Sequence, residues 1–291
     1  MQAGKGLRFI IMSAATMLMM LLCLSHGWAQ ALLGPYGLAL DARGNLYVAN
    51  FYSDQVLVYD PNYVQQAGKS ISGLSFPLGV AFDSKGNVYV ANSQGNNGTG
   101  SITQYSAAGV LNTRFSITQG INNPTTITID GLDDLYVANS PPSGAYVSIY
   151  PLADTIQGPN LLSTIALSPV PEYGIAVHGG DLYVGTIYAW KKGFVSELLA
   201  GVGGFPVVQS TLVGVNALAT DSAGHLYVVT GYGEVDFWGP KGGPVVIVPS
   251  PGFVPAGIAV DSARGRIYLS NLPGNQVLVY STKGTLLHTI Q

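Results

Sequence analysis

The sequence predicts an all-β fold, a six-bladed β-propeller with four-stranded antiparallel blades. Three observations carry that expectation. A phrase ending in Leu-Tyr-Val-Ala-Asn, or a near-copy of it, returns six times. Its shared tyrosines, Tyr47, Tyr89, Tyr136, Tyr183, Tyr227 and Tyr268, are spaced by 42, 47, 47, 44 and 41 residues, which is the length of one propeller blade. Each repeat also divides into short runs of Val, Ile, Tyr and Thr bounded by Gly, Asp and Asn, the pattern of strands and turns. No interval has the length and 3.6-residue period of a substantial helix.

The first 29 residues read as a segment apart. Lys5 and Arg8 give a positive start, residues 9–24 are almost wholly apolar, and Gly27-Trp28-Ala29 supplies small residues for cleavage. That is the make-up of a secretory signal peptide, so the expected division is signal 1–29 and propeller 30–291. The expected location is periplasmic or extracellular, with no membrane span once the signal is removed. Cleavage would also remove Cys23, the only cysteine. No disulfide or thiolate chemistry would remain.

Each repeat then opens on a strand with small residues, such as Gly37 and Ala39, Gly79 and Ala81, and Gly257 and Ala259. Innermost strands sit where blades converge, so small side chains are a packing requirement. Asp41 to Gly44, Asp83 to Gly86 and Asp221 to Gly224 read as tight turns. There Asp accepts backbone N–H bonds and Gly takes a positive φ. The spacing lacks the dense oxygen ligands of a calcium loop. The second strand is the Leu-Tyr-Val-Ala-Asn phrase itself. Asn50, Asn92, Asn139 and Asn271 close it, placed to bond their own backbone in the following turn; Thr186 and Thr230 replace them in repeats four and five. A third strand and an outer fourth follow. Residues 30–36 are too short to complete the last blade, so ring closure is expected through face packing.

These residues resemble the NHL repeat family of six-bladed propellers. The match rests on Pro77-Leu-Gly-Val-Ala-Phe-Asp-Ser-Lys-Gly-Asn-Val-Tyr-Val-Ala-Asn92, and Pro35-Tyr-Gly-Leu-Ala-Leu-Asp41 and Pro255-Ala-Gly-Ile-Ala-Val-Asp261 open in the same way. The resemblance implies a noncatalytic scaffold that binds a protein, a peptide or an envelope glycan. Related propellers imply the alternative, a metal-dependent lactonase, arylesterase or lyase.

Composition narrows the partners. The net charge is −3 with only 9% charged residues, which argues against nucleic acid. A monomer without cofactor is expected. Variation gathers on one rim, in the loops after the second strand and before the first. The candidate binding residues there are Tyr36, Phe51, Tyr52, Phe76, Tyr173, Tyr188, Trp190 and Tyr232, since aromatics beside polar groups suit recognition. No catalytic residue is assigned. His178 and His225 fall in inner turns, His288 near the last strand, and none has a ligand spacing. Glu172, Asn216 and Asn123 form the weaker alternative, a set of oxygen donors for a hard metal at the channel.

Overall fold

The computed structural model describes residues 29–94, 100–152, 159–167, 172–179, 181–186, 194–198, 207–208, 214–239 and 245–291. The expected signal peptide lies almost wholly outside them. Residues 31–291 form one compact unit. Among the described residues no helix is long and apolar enough to cross a membrane.

Twenty-four strands, β1 to β24 in chain order, form six four-stranded antiparallel sheets among the described residues. Blade 1 holds β1 (Pro35–Leu40), β2 (Leu46–Asn50), β3 (Gln55–Tyr59) and β4 (Ile71–Ser72). Blade 2 holds β5 (Pro77–Phe82), β6 (Val88–Asn92), β7 (Ser101–Tyr105) and β8 (Leu111–Ile117). Blade 3 holds β9 (Pro124–Ile129), β10 (Asp134–Asn139), β11 (Tyr146–Pro151) and β12 (Ser163–Ala166). Blade 4 holds β13 (Glu172–His178), β14 (Asp181–Thr186), β15 (Phe194–Leu198) and β16 (Val207–Val208). Blade 5 holds β17 (Val215–Thr220), β18 (Leu226–Thr230), β19 (Val235–Trp238) and β20 (Val245–Val248). Blade 6 holds β21 (Ile258–Asp261), β22 (Arg266–Asn271), β23 (Gln276–Ser281) and β24 (Leu286–Ile290).

A twisted sheet of this size cannot bury both faces alone, and radial stacking solves the problem. The core is therefore six separate seams. Tyr47, Val56 and Val58 of blade 1 meet Val80, Val88 and Val90 of blade 2. Equivalent clusters join blades 2 and 3, 3 and 4, 4 and 5, and 5 and 6. The sixth seam closes the ring: Tyr268, Val277 and Val279 of blade 6 pack on Leu32, Leu38 and Val48 of blade 1. No strand is shared across that closure. Arg266 Nη1 donates to the Pro61 carbonyl at 2.7 Å and lies over the Tyr63 ring, which stacks on His288 at 4.3 Å.

The small residues of the inner strands answer to distance. A Cβ on Gly37 would stand 2.2 Å from the Leu78 carbonyl oxygen, and one on Gly257 2.3 Å from that of Tyr36. Neither contact is tolerable, so glycine is required where adjacent blades touch.

The turn rim is a set of near-identical hydrogen-bond circuits. Asp83 Oδ1 accepts the N–H groups of Lys85 and Asn87 at 3.0 and 2.8 Å, while Oδ2 accepts Asn87 Nδ2 and the Tyr89 hydroxyl at 2.7 and 3.1 Å. In blade 5, Asp221 Oδ1 accepts Ala223 N and His225 N, and Oδ2 meets His225 Nδ1 at 2.8 Å and Tyr227 Oη at 3.3 Å. This explains the repeated aspartates and gives His225 a structural role. Burial pushes the Asp221 pKa up, but the hydrogen bonds from His225 and Ala223 outweigh it and hold the carboxyl below its ordinary range. Gly86 and Gly224 take φ of +80° and +82° in these turns.

Candidate functional site

The inner strands enclose a central channel of about 310 Å³ lined by residues of all six blades, among them Tyr36, Thr126, Thr128, Ala176, Thr220 and Ala259. No charged residue lines it among the described residues. Its walls are glycine, alanine, threonine and aliphatic side chains, so any reacting group must stand at a mouth.

The mouth on the loop rim is built by a repeated irregularity. The pairing of each first strand with its second slips at the same place in blades 1 to 5: between Pro35 and Leu38, and across Leu78, Thr125, Tyr173 and Asn216. A bulge inserts an unpaired residue, bends the strand and re-aims a side chain. The residues so placed are Tyr36, Leu78, Thr125, Tyr173 and Asn216, at equivalent positions in their blades; Tyr36 lines the channel, while Leu78 and Thr125 are buried. Just before them the backbone is left-handed at Gly34, Phe76, Asn123 and Gly214, with φ of 68°, 51°, 52° and 70°. Sequence reasoning picked out Tyr36, Tyr173 and Asn216 but missed Leu78 and Thr125. In blades 1 and 2 the readable signal was the Pro-x-Gly opening; blades 3 to 5 lack it.

Asn216 is half-buried, and no hydrogen bond reaches its carboxamide among the described residues. Asn123 differs. Its Nδ2 donates to the Ser140 carbonyl at 2.8 Å and its Oδ1 accepts from Ser93 Oγ at 3.1 Å, so its amide ties blade 2 to blade 3. Glu172 begins β13 and pairs with Thr186, a position filled by Pro35, Pro77, Pro124 and Val215 in other blades. It is the one charged residue at that level.

The three donors offered for a metal therefore do not share a level. Asn123 precedes its strand, Glu172 starts its strand and Asn216 is second in its strand. One amide is already spent. Among the described residues no group of three or more His, Cys, Asp and Glu comes together. The set does not fit a hard cation at the channel mouth, which needs several convergent oxygens.

The aromatic candidates separate in space. Phe51 contacts Tyr52 and Phe76 with ring centroids 4.9 and 5.1 Å apart. Leu272 lies close to the same spot, since a Cβ on Gly34 would meet both Tyr52 and Leu272. Blades 1, 2 and 6 thus present one aromatic and aliphatic wall on the loop rim. Tyr232 is exposed on blade 5, away from that wall. Tyr173 is placed only by its backbone, and Tyr188 and Trp190 lie outside the described residues.

The strand-ending asparagines are framework, by a different bond from the one expected. Asn50, Asn92 and Asn139 each accept a backbone N–H seventeen residues earlier, from Leu33, Ser75 and Asn122. They clamp the segment that enters their own blade. Asn50 also donates to Ser53 Oγ at 2.6 Å in the turn that follows it, and Asn271 accepts Gly274 N at 3.0 Å in its own.

Compared by sequence, the chain matches no family profile and no curated protein. Compared by structure, it is similar to a gluconolactonase from Xanthomonas campestris, with TM-score 0.62, 15% identity, and 84% of this chain and 85% of that one covered. It is similar also to a catalytically inactive virginiamycin B lyase from Staphylococcus aureus, solved with quinupristin, with TM-score 0.62, 11% identity and coverage of 89% and 85%. A streptogramin B lyase matches with TM-score 0.62, 14% identity and coverage of 90% and 84%. The shared feature is the propeller fold.

Two expectations are corrected by these findings. The tie to NHL repeats is not sustained: no family profile matches, and the solved structures that share the fold include a lactonase and lyases. The repeated phrase reports blade packing, which unrelated propeller sequences share. The noncatalytic scaffold for protein, peptide or glycan falls with it, because it rested on that resemblance.

Proposed function

We propose that this chain is an exported enzyme of the lactonase or lyase kind, opening a lactone-type ring at the loop-rim mouth of the channel. The observation that carries the reading is the repeated bulge in the first strands, with Glu172 immediately before it in blade 4. Bulges gather beside active sites because they aim side chains off the sheet. The structural matches supply the class of reaction, and the charge pattern of residues 1–29 supplies the export. We assign no metal-dependent step, since the donor set does not fit one.

In this reading Glu172 is the general base. A carboxylate is a residue type that can take a proton as the ring opens. Asn216, whose amide is uncommitted, donates a hydrogen bond to the oxygen that gains charge as the ring opens. Tyr36 lines the channel wall below them. The wall of Phe51, Tyr52 and Phe76 packs the body of the substrate, removing apolar area from water.

The test is direct. Purified protein is incubated with gluconolactone and with quinupristin, and ring opening is followed by acid release and by mass. Hydrolysis adds one water to the product and elimination within a ring adds none, which separates lactonase from lyase. Turnover that falls at least about 100-fold in Glu172→Gln, the usual scale for a general base, supports the assignment. Turnover that survives in Glu172→Gln removes Glu172 from the chemistry.

A further inference from the structure

One buried carboxylate has no role in the fold or in the channel mouth. Asp236 lies in the middle of β19, only 3% exposed. Its Oδ1 has no hydrogen-bond partner, and the same holds for Thr230 Oγ1 and Trp238 Nε1. Burying such groups unpaired is costly, most of all a carboxylate.

The three groups share one face. Val229, Val235 and Phe237 belong to the seam with blade 6. Strand side chains alternate, so Thr230, Asp236 and Trp238 face blade 4, and Trp238 indeed packs in the seam between blades 4 and 5. Glu234 stands two residues before Asp236, and its backbone carbonyl accepts the Thr230 N–H. Burial, then the charge of Glu234, raise the Asp236 pKa.

The other blades show what this place normally holds. Asp236 pairs with Val228, as Thr103 pairs with Val90 and Ser148 with Val137. In blade 2 the Asn92 amide donates to Thr103 Oγ1 at 3.0 Å, and in blade 3 the Asn139 amide donates to Ser148 Oγ at 3.2 Å. In blades 1 and 6 the place is filled by Leu57 and Leu278. Blade 5 alone among the described blades replaces the amide donor with Thr230 and the hydroxyl with a carboxylate. It has lost a donor and gained an acceptor.

We infer that Asp236, Glu234 and Thr230 form a site for a hard divalent cation, Ca²⁺, in the seam between blades 4 and 5. Beside the Trp238 N–H, which can bond a coordinated water, the groups offered to the cation are oxygens: two carboxylates and a hydroxyl. That is the chemistry of Ca²⁺, which completes its shell with water and tolerates irregular geometry. Thr230 and Glu234 flank the turn that carries exposed Tyr232, so the site opens on the loop rim. Two carboxylates place the affinity at about 10⁻⁴–10⁻³ M, the range of extracellular modules. This site stands apart from the channel mouth and does not depend on the proposed reaction.

Thermal melts of the full protein in chelator, in Mg²⁺ and in Ca²⁺ at about 5 mM, above the expected affinity, test it. Ca²⁺ should raise the midpoint by a few degrees and Mg²⁺ by less. Tb³⁺ bound beside Trp238 should emit on excitation of the indole, and Ca²⁺ should displace it. Asp236→Asn should abolish both signals and Glu234→Gln should weaken them, while Glu172→Gln leaves both intact. An unchanged midpoint with Ca²⁺, or a Ca²⁺ shift that persists in Asp236→Asn, overturns the inference.

Discussion

Blades 3 and 5 solve the same problem differently at the loop rim. In blade 3, Asn139 is almost fully buried and every polar group of its side chain is used: Oδ1 takes Asn122 N, and Nδ2 gives to Val137 O and Ser148 Oγ. Ser148 passes the chain on to the Gly120 carbonyl at 2.7 Å. In blade 5 the corresponding side chains, Thr230 and Asp236, are similarly buried, and Thr230 Oγ1 and Asp236 Oδ1 have no hydrogen-bond partner among the described residues. The pairing of second and third strands is the same in both, Val137 with Ser148 and Val228 with Asp236, so at this place the difference lies in the side chains. A repeat protein builds each blade on one plan, and where one blade keeps the geometry but drops the hydrogen bonds, those residues are free for another task.

The largest effect should come from breaking the complete circuit. Asn139→Ala leaves a buried N–H, a carbonyl and a hydroxyl short of a partner, each unpaired group costing about 1–3 kcal/mol. A loss of about 3 kcal/mol in denaturant unfolding is expected, and a loss under about 1 kcal/mol would show that the clamp is incidental. Rebuilding the circuit where it is missing should have a smaller effect of opposite sign. The pair Thr230→Asn with Asp236→Ser copies blade 3 into blade 5. It should stabilise the protein in chelator by about 1–2 kcal/mol and remove the Ca²⁺ response together.

The smallest effect is a matter of pH. Burial and the charge of Glu234 raise the Asp236 pKa above its unfolded value. The folded state therefore holds that proton more tightly than the unfolded chain does. Its contribution to stability is full below the unfolded carboxylate pKa and is lost as pH rises through the folded one. Asp236→Asn in chelator should thus be more stable than the parent at neutral pH and indistinguishable from it in acid. Equal stability differences at both ends would mean that Asp236 does not titrate across folding.

Much of the framework was legible. The tyrosine period located every blade, and Asp83 with Gly86 announced its turn because both residues obey local backbone rules. The inner glycines were legible as small, although the reason, a carbonyl of the next blade 2.2 Å from the missing Cβ of Gly37, is a property of the ring. The site was less legible. Asn50, Asn92 and Asn139 were expected to serve the turn after them, yet they hold a segment seventeen residues back, a contact that exists only once the blade is wound. Asn123, Asn216 and Glu172 were read as residues preceding their inner strands, but Glu172 starts its strand and Asn216 is second in its strand. The turn of blade 4, with His178 paired to Asp181, is shorter than that of blade 5, with Thr220 paired to Leu226, so residues equally far from the shared tyrosines stand at different levels. Asp236 drew no notice at all, since one acid in a strand looks solvent-facing until the neighbouring blade covers it.

The central claim is that the turn rim is framework and the chemistry sits at the loop-rim mouth. Unfolding midpoint and turnover per folded molecule, measured side by side for Asp221→Ala and Glu172→Gln, test it most directly. Asp221 holds four hydrogen bonds of its turn, so Asp221→Ala should lower the midpoint by several degrees and leave turnover per folded molecule unchanged. Glu172→Gln should do the reverse, abolishing ring opening with the midpoint in place. Lost turnover in folded Asp221→Ala, with Glu172→Gln fully active, would put the chemistry on the other rim and contradict the account.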